Sequence, residues 1–85
     1  MNKKKGESQY RHPFEDVVYG EFSWCLHCER VSKTEDWVNN GWYCPYSDCN
    51  GSALDVSNWD SNVWPRSEHP EYPDMPEIGK YYPLY

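Results

Sequence analysis

Four cysteines, Cys25, Cys28, Cys44 and Cys49, constrain this 85-residue chain more than any other feature. They form a C-x2-C pair, fifteen intervening residues and a C-x4-C pair. Two close pairs one hairpin's length apart can bring four thiolates onto a single ion, and a tetrahedral sulfur site most commonly holds zinc. The spacing therefore assigns Cys25, Cys28, Cys44 and Cys49 as metal ligands, with one Zn2+ per chain. Iron is the alternative, because a tetrahedral four-thiolate site also accepts it. A disulfide framework, with three possible pairings, is the other use of four cysteines. It belongs to an oxidising compartment. Lys3, Lys4 and Lys5 are not followed by the apolar run of an export signal. No stretch approaches the roughly 18 apolar residues of a membrane span. The expectation is a soluble, cytoplasmic protein in which the thiols stay reduced and are available to metal.

The rest of the composition explains why a metal matters. The aliphatic inventory is six Val, three Leu and one Ile, against five Trp, eight Tyr and two Phe. Aromatic rings bury roughly 150–250 Å² each, so a compact aromatic core is feasible. A domain of this size nonetheless rarely draws more than about 3–5 kcal/mol from its core alone. Structural zinc contributes on the order of 10–16 kcal/mol to finger peptides, enough to decide folding.

Along the chain, residues 1–13 read as a disordered polar tail, 14–64 as the metal-stapled domain, and 65–85 as an extended Pro/Tyr-rich tail packed in part on that domain. Residues 14–24 are aromatic and β-branched and predict a strand into the first cysteine pair. Residues 29–33 predict a return strand. Thr34 as N-cap, with Glu35 and Asp36 behind it and Asn39-Asn40-Gly41 as a stop, predicts one helical turn over 34–39. Trp42-Tyr43 reads as a short strand into the second pair, 53–56 as another strand, and Ser57 with Asp60 as a capping box opening a helix over 58–64. Five prolines between Pro65 and Pro83 favour extended backbone, with Tyr72 and Ile78 the residues expected to pack.

The motifs Cys25-Leu26-His27-Cys28 and Trp42-Tyr43-Cys44-Pro45 resemble those of the zinc-ribbon and rubredoxin-like group. The resemblance covers about residues 18–57. It implies a small metal-stabilised β-rich domain with two knuckles on β-hairpins, short helical turns and one clasped ion. The second knuckle departs from the group's pattern: four residues separate Cys44 from Cys49, where the group usually has two, and Gly51 comes two residues later. The resemblance also supplies a second function class, a rubredoxin-like iron electron carrier.

Charge and motif content narrow the role. Net charge is −6, unevenly spread: +3 over residues 1–14 and −9 over 15–85, the latter from four basic and thirteen acidic side chains. Such a surface repels phosphate backbones and anionic membranes. Trp and Tyr can stack on single-stranded bases, but that mode needs a basic groove. Only Arg30, Lys33, Arg66 and Lys80 stand outside the N-terminal segment. Nucleic-acid binding is therefore the third reading. Four good ligands leave no open position for catalysis. His27, between two ligands, is expected to face solvent. His12 and His69, in proline-flanked segments, are expected to be exposed. Trp24 and Trp42 are expected to pack around the site, while Trp37, Trp59 and Trp64 are left open between core and recognition surface. The reading is a non-enzymatic, monomeric zinc-binding module that engages another protein.

Overall fold

The computed structural model describes residues 10–85. Residues 1–9 of the expected N-terminal tail lie outside the described residues. Three short strands form an antiparallel sheet: β1 (Phe22–Cys25), β2 (Val31–Lys33) and β3 (Val56–Asn58), in the order β2-β1-β3. One helix, α1 (Thr34–Asn39), follows β2, and single 3-10 turns occupy Ala53–Asp55 and Arg66–Glu68. The protein is thus a small domain with a three-stranded sheet, little helix and a cysteine cluster.

Side-chain alternation along β1 sets the layers. Trp24 lies opposite Val31 and Ser57, while Cys25 lies opposite Val56. The Cys25 face carries a cluster of Tyr19, Cys25, Trp37, Cys44 and Val56, with Trp42 packed against it. The Trp24 face carries Trp24, Val31, Trp59 and Tyr82, with Tyr72 and Leu84 against it. Trp24 is therefore core, as expected, but not around the thiols. As the residue adjacent to Cys25 in an extended strand it must point the other way. Trp37, completely buried, takes the place beside them.

The strand into the first cysteine pair is shorter than the sequence suggests, because the chain turns before it. His12 is 3% exposed, correcting its expected exposure. Its Nδ1 accepts from the Phe14 and Glu15 amides, both at 3.1 Å, and its Nε2 donates to the Ala53 carbonyl at 2.8 Å. These partners fix the tautomer. The ring stacks on Tyr19 and lies 5.2 Å from Trp42. His12→Ala should cost about 2–3 kcal/mol, since it strands a buried carbonyl and two amides. Thermal melting of the variant checks this.

Helix α1 falls on the expected residues but is capped differently. Lys33 is the N-cap, without a side-chain bond. The Thr34 hydroxyl, buried, pairs instead with Ser23 Oγ at 2.7 Å. The helix stops at Asn40, followed by Gly41 at φ +67°, a left-handed value that glycine adopts without strain. Trp42 also has positive φ, and Trp42-Tyr43 forms a turn rather than a strand. The predicted helix over 58–64 is replaced by turns. Trp59 N–H continues the β1–β3 ladder by donating to the Phe22 carbonyl, which keeps this stretch extended. The capping box lies five residues earlier, Ser52 with Asp55, and opens a 3-10 turn over Ala53–Asp55 where a strand over 53–56 was expected; β3 begins only at Val56.

The C-terminal segment lies along the outer edge of β2. Gly79 N–H donates to the Val31 carbonyl at 2.8 Å, and Tyr82 N–H to the Glu29 carbonyl at 2.8 Å. An exposed strand edge is thereby covered. Tyr72 and Tyr82 pack on Trp59, whereas Ile78 is 49% exposed. His69 is not the exposed residue expected. Its ring stacks on Tyr72 at 4.6 Å, and its Nε2 contacts the Leu84 carbonyl at 2.7 Å.

Candidate metal centre

The first cysteine pair is carried by the turn between β1 and β2. Cys25 ends the central strand, and its amide donates to the Arg30 carbonyl at 3.0 Å. Its carbonyl accepts from Glu29 N–H at 2.7 Å, and Glu29 takes a left-handed φ to close the loop. The second pair is not on a hairpin of paired strands. Irregular backbone carries it, pinned by the Asn40 side-chain amide donating to the Tyr43 and Cys44 carbonyls at 3.2 and 3.1 Å. The Cys44 amide donates to the Gly51 carbonyl at 2.9 Å, so the six-residue knuckle closes on itself. Pro45 contributes no donor of its own.

These two segments bring Cys25, Cys28, Cys44 and Cys49 together, with all four sulfurs within 4.8 Å of one another. Cys25 and Cys44 are buried; Cys28 and Cys49 are half-buried. The Sγ–Sγ distances are 3.7 Å for Cys25–Cys49 and 3.8 Å for Cys28–Cys44. A sulfur tetrahedron around zinc at about 2.3 Å has edges of about 3.8 Å. A disulfide would need about 2.05 Å, and all four cysteines are free thiols. The donor set and its spacing thus fit a four-coordinate metal. His27 is exposed and is not among the converging groups.

Hydrogen bonds to sulfur orient the ligands. Cys28 N–H donates to Cys25 Sγ at 3.4 Å, Gly51 N–H to Cys49 Sγ at 3.3 Å, and Arg30 Nε to Cys28 Sγ at 3.4 Å. Burial pushes the Cys25 thiol up to about 12, against amide hydrogen bonds from Cys28 and His27. Burial raises the Cys44 thiol as well. At Cys28 burial acts in the same direction, but hydrogen bonds from the Arg30 side chain and backbone outweigh it and leave the thiol below its ordinary value.

Two further residues shape the site in ways that their place in the sequence does not disclose. Arg30 bonds Cys28, pairs with Asp48 at 2.5 Å and stacks over Tyr46 at 4.3 Å, locking one knuckle to the other. Arg30→Met should weaken metal binding by about tenfold, the low end for residues that hold a ligand in place. Competition with a chelator reads this out. Gly51 is the second. A Cβ there would lie 2.9 Å from Cys25 Sγ and 3.3 Å from His27 Cβ. Gly51→Ala should therefore displace the Cys25 sulfur and reduce metal affinity at least tenfold, measured in the same competition.

No family model, curated protein or solved structure matches the chain. Among the described residues, no helix is long and apolar enough to cross a membrane.

Proposed function

We propose that this chain is a zinc-ribbon-like module in which four thiolates hold one structural Zn2+ and the folded surface engages another protein. The convergence of four thiols from two separate loops, at the spacing of a zinc tetrahedron, carries the first half. When bound, the ion supplies the bonds that join the β1–β2 turn to the second knuckle. Cys25, Cys28, Cys44 and Cys49 would hold it, Arg30 and Gly51 would keep their sulfurs in place, and Trp37 packs beside them. Four protein ligands complete the shell and leave no position for substrate, which supports a non-enzymatic role. The second half rests on the net charge of −6 and on large apolar side chains that stay exposed on this acidic chain, Trp64 and Leu54 among them. A monomeric, cytoplasmic protein fits the same composition.

A rubredoxin-like iron carrier is the second reading. The amide hydrogen bonds to Cys25 and Cys49 favour it, because such bonds set the potential of thiolate-bound iron. Elemental analysis of protein purified without added metal, joined to its visible spectrum, separates the two. One zinc per colourless chain is the expected result. Stoichiometric iron with sulfur-to-iron charge-transfer absorption would replace the structural reading with electron transfer.

A further inference from the structure

Resting on the interaction role proposed above, we infer that the surface around Trp64 is the docking face and that its partner is a basic protein segment with an apolar anchor. Trp64 is 63% exposed, yet its backbone is tied down: its carbonyl accepts from Ser57 Oγ, and the buried residues Pro65 and Arg66 follow it. It forms a ridge between two hollows that share it and Pro65. One hollow, about 310 Å³, is walled by Val17, Leu26, Leu54 and Val63, with Glu15 at its rim. The other, about 280 Å³, is walled by Leu84 and Tyr85, with Glu68 in its lining. Leu54 is 79% exposed and Val17 is 40% exposed, so the apolar wall is open to solvent.

Tryptophan is among the residue types that most often anchor protein interfaces, and the flanking apolar hollows give a partner's side chains somewhere to seat. The charge around it selects the partner. Neither hollow is lined by Lys or Arg, and Glu15 and Glu68 make no ion pair among the described residues. Among the described residues, two arginines near this surface in the chain are committed elsewhere. Arg11 pairs with Asp16, and Arg66 is buried against backbone carbonyls. An incoming segment with Lys or Arg on either side of a Leu, Ile or aromatic side chain would seat its apolar group beside Trp64 and its cations on Glu15 and Glu68. Nucleic acid, which offers phosphate to these carboxylates, is repelled.

The test selects a random twelve-residue peptide library, displayed on phage, against the metal-loaded protein, and then titrates the best synthetic peptide into 15N-labelled protein. The expected result is enrichment of basic peptides with an apolar centre, with saturable shifts at Leu54, Val63 and the Trp64 indole. Trp64→Ala should weaken that binding about tenfold. Glu15→Gln with Glu68→Gln should flatten its salt dependence while leaving the fold intact. Enrichment of acidic or neutral peptides would overturn the inference. So would binding that Trp64→Ala leaves unchanged, shifts on another face, concentration-dependent shifts without peptide (a second copy as occupant), or no enrichment at all. Binding on another face would overturn this surface alone and leave the interaction role standing. Iron in the elemental analysis would bear on that role and not on this surface.

Discussion

Stripping the metal with a strong chelator should unfold this protein, and Cys28→Ser should do nearly the same. The reason lies in what remains without the ion. The strands are three or four residues long and the one helix among the described residues has six, far below the roughly 12–15 residues at which isolated helices become even marginal. The second knuckle has no strand pairing of its own, so its hydrogen bonds, the Arg30 contacts with Asp48 and Tyr46, the packing of Cys44 and its sulfurs hold it to the sheet. A structural zinc contributes on the order of 10–16 kcal/mol, comparable to the whole net stability of a typical domain, about 5–15 kcal/mol. Tryptophan fluorescence and amide NMR dispersion are the readouts, and Trp37, buried beside Cys25 and Cys44, is the natural reporter. Native dispersion surviving chelation, or full metal occupancy in Cys28→Ser, would contradict the proposed role of the thiols.

The pH dependence of the loaded protein follows with a definite sign. Burial raises the Cys25 and Cys44 thiols, so in the metal-free fold both carry protons at neutral pH. Ligation must expel those protons. Metal affinity therefore climbs as pH rises through the neutral range, and acidification releases the ion and with it the fold.

The cysteine cluster was legible because bringing four thiols together from two short loops imposes a spacing on the sequence, and α1 was legible because its acidic start and its Asn-Asn-Gly stop are local signals. Alternation along β1 was also available: Trp24 beside Cys25 had to face the opposite layer. What was hidden is long-range. His12 looks like a solvated tail residue until its Nε2 reaches the Ala53 carbonyl, forty-one residues away. Gly51 is one of several turn residues until the sulfur of Cys25 comes within 2.9 Å of where its Cβ would stand. Ser57 with Asp60 satisfies a helix-start pattern, but ladder pairing with β1 outweighs a local cap.

Arg66 is the residue whose role the sequence concealed most fully, and Arg66→Ala should be the most damaging substitution of a charged residue outside the metal centre. Arg66 is 1% exposed in a chain whose net charge is −6. Nη1 donates to the His69 carbonyl at 3.0 Å, and Nη2 to the Tyr72 and Pro73 carbonyls at 2.8 and 3.2 Å. The guanidinium also lies 4.9 Å from the Trp59 ring centroid. One side chain thus closes the 69–74 turn and presses it onto the Trp24 face, where Tyr72 stacks on Trp59 and the Trp59 indole donates to Pro73. The ion pair with Asp74 adds little, since that carboxylate is 90% exposed. Truncation removes the donors of three carbonyls and the ring contact together, a loss of about 3 kcal/mol. In a domain of this size that lowers the melting temperature by more than about 10 °C. Arg66→Lys should recover less than half of the loss, because one ammonium cannot span carbonyls that a planar fork reaches from two nitrogens. Hydrogen exchange should show the damage concentrated at the Trp59 indole and the Tyr72 amide, with the Cys28 and Gly51 amides at the thiols still protected. A melting temperature within about 2 °C of the parent, or loss of protection spread evenly into the cysteine face, would show that Arg66 does not hold the C-terminal segment in place.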